Sequence, residues 1–265
     1  MFDTNGMLFI TGLLAVVAAA AGALITRRYV PTAVLEAHLP AAGAVYATLG
    51  VLYAVILGQI VVAAWDRYAD AESAVISEVG ALFSLIRLAD ALPPEEGEPL
   101  RQAAFAYGRT VVDVEWPAMA RRDAPSPEAA SALSAMYRAY GVVAAGPDGA
   151  NPVVAASLSE LDALDDARGA RLLASISGIP PLMWGVLILG GMVTVAFTYM
   201  FAVASRTAHL LMVVAVAGTL VMLLALVAGL NEPFREPMAI TPEGFAAILD
   251  HAAATLGDAG ATPTP

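Results

Sequence analysis

The sequence has no cysteine, so it can form no disulfide framework and offers no thiolate to attack a substrate or bind a metal. Charge is scarce: 14% of the residues are Asp, Glu, Lys or Arg, against roughly 25% in a soluble domain. Clustered positive charge is missing too, with 13 basic residues against 24 acidic ones and a net charge of −11. Nucleic acid is therefore a poor partner, because phosphate binding needs basic clusters. No stretch alternates apolar and polar residues as a half-buried strand would. There is also no Glu-x-x-His pair of the kind that builds carboxylate metal sites in helical bundles. The three histidines, His38, His209 and His251, fall outside the polar middle of the chain. No cofactor or metal site is expected.

What the chain has instead is long apolar runs. Hydrophobic residues make up 59% of it and the mean hydropathy is +0.72. Four runs, at about 7–25, 41–64, 182–204 and 208–230, approach or exceed the roughly 20 helical residues that cross a bilayer. They predict an all-α membrane protein with four transmembrane helices in two hairpins and a helical extramembrane domain inserted between spans two and three. The expected parts are hairpin 1 over 1–64, an acidic helical domain over 65–180, hairpin 2 over 181–231, and a tail with a short amphipathic helix over 232–265. The first run has only Asp3 ahead of it and is followed by Arg27 and Arg28, which reads as a retained anchor and not a cleaved leader.

Four spans put both termini and the polar domain on one side and the two short loops on the other. Those loops carry Arg27, Arg28 and Arg206 against Glu36, so the charge rule for short loops places them in the cytoplasm and the acidic domain outside. The spans hold no acid or arginine in their interiors, which argues against proton-coupled transport. His209, at the edge of span four, reads as an interfacial side chain.

No Gly or Pro intervenes between Trp65 and Gly80, so span two is expected to continue as a stalk with Val75, Val79, Leu82 and Ile86 on one stripe. Pro93-Pro94 breaks it. Leu100, Ala104, Tyr107, Val111 and Val114 then share a face of a helix ending near Pro117. Ser126-Pro127 and Asn151-Pro152 each set a capping side chain before a proline, predicting helices over about 127–145 and 152–177. Gly146 to Gly149 is an exposed turn. Thr241-Pro242-Glu243 opens a short helix with an apolar edge of Phe245, Ile248 and Leu249, and 259–265 is a frayed tail.

Several residues could carry function. Gly43, Ala47, Gly50, Ala54 and Gly58 give span two a smooth stripe on which another helix can pack. Tyr46, Tyr53 and Gln59 need polar partners in lipid, supplied either by packed neighbours, among them Thr194, Thr198 and Tyr199, or by the water of a pore. Trp65-Asp66-Arg67-Tyr68 marks the membrane exit, where Trp and Tyr are favoured. Its charges either pair with Arg168 or Asp165 as a collar or repeat around an oligomer axis as an ion-selecting ring. Glu115-Trp116 closes the helix that carries Tyr107, and Glu78 faces the same bundle. The two carboxylates read as hydrogen-bond or arginine partners, with calcium ligation as the other reading.

At these residues the chain resembles a bacterial family of four-span membrane proteins labelled bestrophin-like, whose domain is of unknown function. The matching pieces are Trp65-Asp66-Arg67-Tyr68, Glu78, the helix from Tyr107 to Glu115-Trp116, Pro180-Pro181 followed by Leu182-Met183-Trp184, and Pro233-Phe234 beyond span four. They cover about residues 43–249. The resemblance implies kinship with bestrophins, pentameric anion channels with two membrane hairpins around a helical domain. It also implies a multi-pass protein of the bacterial inner (plasma) membrane, and it puts the domain in the cytoplasm, opposite to the loop charges. The expectation is a homo-oligomeric ion channel or channel-like protein, with the lipid bilayer, further copies of itself and an inorganic ion as partners. The alternative is a non-conducting, membrane-anchored scaffold that binds a partner through its helical domain. An enzyme is not expected, because no nucleophile, base and orienting group share a motif.

Overall fold

The computed structural model describes residues 4–146, 149–201 and 203–259, and every regular element among them is helical. In chain order the helices are α1 (Thr4–Tyr29), α2 (Thr32–Asp90), α3 (Pro94–Thr110), a π-helical turn (Val111–Glu115), α4 (Trp116–Arg121), α5 (Pro127–Ala144), α6 (Pro152–Ile176), α7 (Pro181–Thr198), α8 (Arg206–Leu230) and α9 (Glu243–Ala259). Four stretches are long and apolar enough to cross a membrane: Phe9–Tyr29, Leu39–Asp90, Pro181–Thr198 and Arg206–Leu230. The chain divides into two compact units. The first comprises Met1–Tyr68, Gly178–Glu232 and Glu236–Met238, and the second Ala69–Ser177, Pro233–Arg235 and Ala239–Pro265.

In the first unit, α1 and α8 pack through small residues. Ala19 and Ala23 are buried with Val213 and Ala217, and a side chain at Gly12 would collide with Val221, so close backbone approach replaces bulky interdigitation. Gly12 lies against Val221 while Arg27 reaches Val203, just ahead of α8, so the two helices run antiparallel. A second cluster gathers Tyr53, Leu57 and Ile60 of α2 with Leu187, Val227 and Leu230. The outward faces are apolar and exposed at Phe9, Leu13, Leu14, Val17, Leu182 and Leu211, as suits contact with lipid.

Two boundaries differ from expectation. Helix α2 starts at Thr32 and carries Pro40 inside it. Helix α7 stops at Thr198, not near 204. There the Thr198 hydroxyl bonds back to the Val195 carbonyl, and the Thr198 carbonyl meets His209 Nε2 at 3.0 Å. His209 is therefore a buried partner of a helix end, not an interfacial side chain. Ser205 caps α8 by accepting from Ala208 N–H.

The second unit is built around the later part of α2. Its buried Val75, Leu82, Leu85, Ile86 and Ala89 meet Leu100, Ala104 and Val111, Met136 and Tyr140 of α5, Leu161 and Leu164 of α6, and Phe245 of α9. A fully buried leucine contributes about 1.5–3 kcal/mol. Ser126 and Asn151 cap α5 and α6 through hydrogen bonds from Ala129 N–H and Val153 N–H. The helical path does not end at Pro117. The proline occupies the first turn of α4, where a missing N–H costs nothing, and α4 runs on to Arg121. Val114 is exposed, because the π-helical turn adds residues to one turn and rotates Glu115 inward in its place. Of the Gly146–Gly149 turn, 147 and 148 lie outside the described residues, as do 260–265 of the tail.

Candidate functional site

The polar centre of the second unit is a buried network of two carboxylates and two guanidinium groups. Helix α2 supplies Glu78 from the stripe that also buries Val75 and Leu82, α3 supplies Tyr107, and the π-helical turn supplies Glu115. Helix α6 supplies Arg168 and Arg171, which extend its buried row of Val154, Ser157, Leu161 and Leu164 at spacings of three and four. Glu78, Tyr107, Glu115 and Arg171 are 0% exposed and Arg168 is 8% exposed, so water satisfies little of their polarity and they must satisfy one another.

Arg171 is the hub. Its Nε donates to Glu78 Oε2 at 2.5 Å, its Nη2 to Glu78 Oε1 at 2.9 Å and Glu115 Oε2 at 2.7 Å, and its Nη1 to Met119 Sδ at 3.1 Å. Arg168 holds Glu115 from the other side, Nη2 to Oε1 at 2.6 Å and Nε to Oε2 at 3.3 Å. Tyr107 donates its hydroxyl to Glu78 Oε1 at 2.5 Å. The Arg171 guanidinium also lies over the Trp116 ring, 5.3 Å from its centroid, an additional cation–π attraction. Trp116 in turn donates Nε1–H to the Ile240 carbonyl and meets Phe234 and Phe245 edge to face.

Burial works against the Arg171 charge, yet Glu78 and Glu115 more than offset it and raise its pKa further. Burial, and after it the Glu78 charge, pushes the Tyr107 phenol well above the ordinary tyrosine value. Every carboxylate oxygen of the network accepts at least one donor. The arrangement locks four helical segments together and leaves no oxygen free for a cation. Among the described residues no group of three or more metal-ligating side chains occurs.

The network contains Glu78, Tyr107, Glu115 and Trp116, all named from the sequence. Arg168 and Arg171 were missed as their partners; the signal was their place on the apolar row of α6. Arg168 pairs with Glu115 within the second unit. Trp65, Asp66 and Arg67 are exposed, and the Trp65 ring stacks on partly buried Tyr68.

The polar residues of span two part company. Tyr53 is buried and donates its hydroxyl to the Leu187 carbonyl at 2.9 Å. Tyr46 meets Phe201 edge to face. Gln59 is exposed, on the side of α2 opposite the packed Tyr53, Leu57, Ile60 and Ala64. Gly43, Gly50 and Gly58 have nothing within 4 Å of where a side chain would begin, so the smooth stripe is uncovered within this chain. Pro181 opens α7 at its first turn, with Trp184 packed one turn later beside Ile179 and Leu187. Pro233 and Phe234 are buried, and the Pro233 carbonyl accepts from Ile240 N–H.

The chain matches the Bestrophin-like domain family over residues 13–245. It is similar in structure to a point variant of a bacterial bestrophin homologue from Klebsiella pneumoniae, with a TM-score of 0.75 and 13% identity over 91% of this chain and 99% of that one. A second crystal structure of a bacterial bestrophin homologue from Klebsiella pneumoniae gives 0.71 and 15%, covering 92% of this chain and 98% of that one. At these identities the likeness speaks for the fold. No curated protein matches the chain.

Proposed function

The chain belongs to the bestrophin-like family, and from that premise we propose that it is a homo-oligomeric ion channel or channel-like protein of the bacterial inner membrane. In this reading the four spans form two hairpins, α2 stands nearest the axis, and the acidic helical part forms a vestibule. We read it as a non-enzyme, in keeping with the family match; within the described residues Glu78, Glu115, Arg168 and Arg171 hold one another.

The observation that carries the proposal is the open face of α2. Thr48, Gln59 and Asp66 recur at three turns and then two, so they line one side of the helix. All three are exposed, while the opposite side packs Tyr53, Leu57, Ile60 and Ala64. A glutamine facing hydrocarbon would leave its amide without partners, at a cost of several kcal/mol. Facing a water-filled axis, it keeps them. Tyr53, with its hydroxyl on the Leu187 carbonyl, belongs to the scaffold of this arrangement and not to its lining.

Reconstitution of the purified chain in liposomes tests the reading. The channel predicts an ion flux that Gln59→Leu changes and a ring of several copies in detergent, five being the number the resemblance implies. A monomer without flux refutes it. A stable crosslinked partner with no flux would favour a non-conducting scaffold that binds through its helical part.

A further inference from the structure

Between α1, α7 and α8 of the membrane unit runs an apolar groove of about 390 Å³, lined by Ala15, Ala18 and Ala19 from α1, Val195 from α7, Tyr199 just after it, and Ala217 from α8, among others. The Tyr199 hydroxyl is the one polar side-chain group in its lining. Tyr199 lies against Gly22, where any side chain would collide with its ring, and it marks the end of the groove nearest the last turn of α1.

That end is basic. Arg27 lies about 7 Å farther along α1 than Gly22, at 1.5 Å per residue. It donates Nη2 to the carbonyl of Val203, four residues beyond Tyr199, at 2.7 Å. Its other terminal nitrogen, Nη1, is buried and has no hydrogen-bond partner among the described residues. A buried donor on a cation is costly to leave unmade. Arg28 and Arg206 are exposed at the same end of the unit, since α1 and α8 are antiparallel, and Glu36 is the one acid that the sequence places nearby. An anion is therefore complementary in charge to this end, and an alkyl chain to the groove below it.

We infer that the groove and Arg27 together form a binding site for an anionic phospholipid, with an acyl chain lying along Ala15, Ala18 and Ala19 and the phosphate accepting from Arg27 Nη1 once the guanidinium turns outward from its buried position. A phosphate oxygen supplies the acceptor that this nitrogen lacks, and Arg28 and Arg206 add attraction at the surface. The roughly 7 Å between Gly22 and Arg27 is a span that the glycerol and ester linkage of a lipid covers.

Native mass spectrometry of the full-length protein, released from micelles containing dioleoyl-phosphatidylglycerol and dioleoyl-phosphatidylcholine, tests the assignment. The anionic lipid is expected to stay bound in preference to the zwitterionic one. R27Q should weaken its retention about tenfold, the size of a hydrogen bond to a charged group, and R27K less. A18F, which fills the groove, should weaken both lipids. If R27Q fails to elute as a single species, R27K and A18F decide the matter. Equal retention of the two lipids with no effect of R27Q or R27K overturns the inference. So does competition by inorganic phosphate alone, which would mean a free-anion site. A change in subunit number on A18F with lipid retention intact also overturns it, since a second copy would then occupy the groove.

Discussion

Arg171 grips Glu78 with two nitrogens at 2.5 and 2.9 Å although the two residues are 93 apart in the chain. That contact ties α6 to α2, and the same guanidinium reaches Glu115 at 2.7 Å. Neither acid can be relieved by water, so the loss of that base strands Glu78 and leaves Glu115 to Arg168 alone.

Arg171→Met is therefore expected to destabilise the second unit by about 3–5 kcal/mol, the cost of breaking a buried ion pair from one side. Arg171→Lys should recover only part of this, because an ammonium cannot reproduce the fork that meets two carboxylates. Denaturant unfolding of the full chain in detergent, followed by circular dichroism, measures both. A loss below about 1 kcal/mol for Arg171→Met would show that the pairing is dispensable.

Tyr107 makes the network sensitive to alkali. Burial and the Glu78 charge raise its pKa in the folded chain, whereas in the unfolded chain it ionises near the ordinary value of about 10. The folded state thus holds its proton more tightly. Its stabilising effect is complete below pH about 10 and is lost as pH rises toward the folded value. Tyr140, raised by burial to about 12, adds to the same trend. The denaturant midpoint should fall steeply above pH about 10, and Tyr107→Phe should make that fall shallower while costing about 1.5 kcal/mol at neutral pH. An unchanged alkaline slope in Tyr107→Phe would contradict this.

The π-helical turn gives a paired test. Val111 is fully buried and Val114 is 39% exposed. Val111→Ala should cost about 1.5–2 kcal/mol at ~0.8 per buried carbon, and Val114→Ala less than about 0.5. Equal losses would mean that the helix keeps an ordinary α-helical register through this stretch.

Gly97 sits where α3 begins, with the carbonyl oxygen of Ala89 pressed against the position a side chain would take. Gly97→Ala forces backbone apart from backbone and is expected to cost about 1–3 kcal/mol. Gly80, with open space around it, provides the control: Gly80→Ala should be neutral or stabilise the helix by up to about 1 kcal/mol. Thermal unfolding of the two variants side by side separates the close approach from helix propensity.

The periodic parts of this chain were legible in its sequence, because their signals are local. Ser126-Pro127 and Asn151-Pro152 announce the starts of α5 and α6 through capping chemistry that depends on the next three residues. Val75, Leu82 and Ile86 disclose their shared face by spacing alone. The end of α7 was not legible. Its residues remain apolar through 204, and what stops the helix is a pairing of the Thr198 carbonyl with His209 and of the Val203 carbonyl with Arg27. The site divides in the same way. Glu78, Tyr107 and Glu115 fell on inward faces by their spacing, but the choice between Glu115 and Val114 turned on a π-helical turn that no residue pattern declares. The partners of Arg168 and Arg171 depended on which helices meet. Both arginines continue the leucine row of α6, although Asp162, Asp165 and Asp166 lie close by in the sequence.

The four ions of the network cancel, two against two. The whole imbalance of eleven negative charges therefore belongs to the rest of the chain. Dissolved cations gather around a molecule in answer to the field that reaches the solution, and the neutral knot inside contributes little to it. Raising ionic strength should draw that outer counter-ion cloud inward, from a screening length of about 10 Å at ~0.1 M toward about 3 Å at ~1 M, while leaving the inner fastening as tight as before.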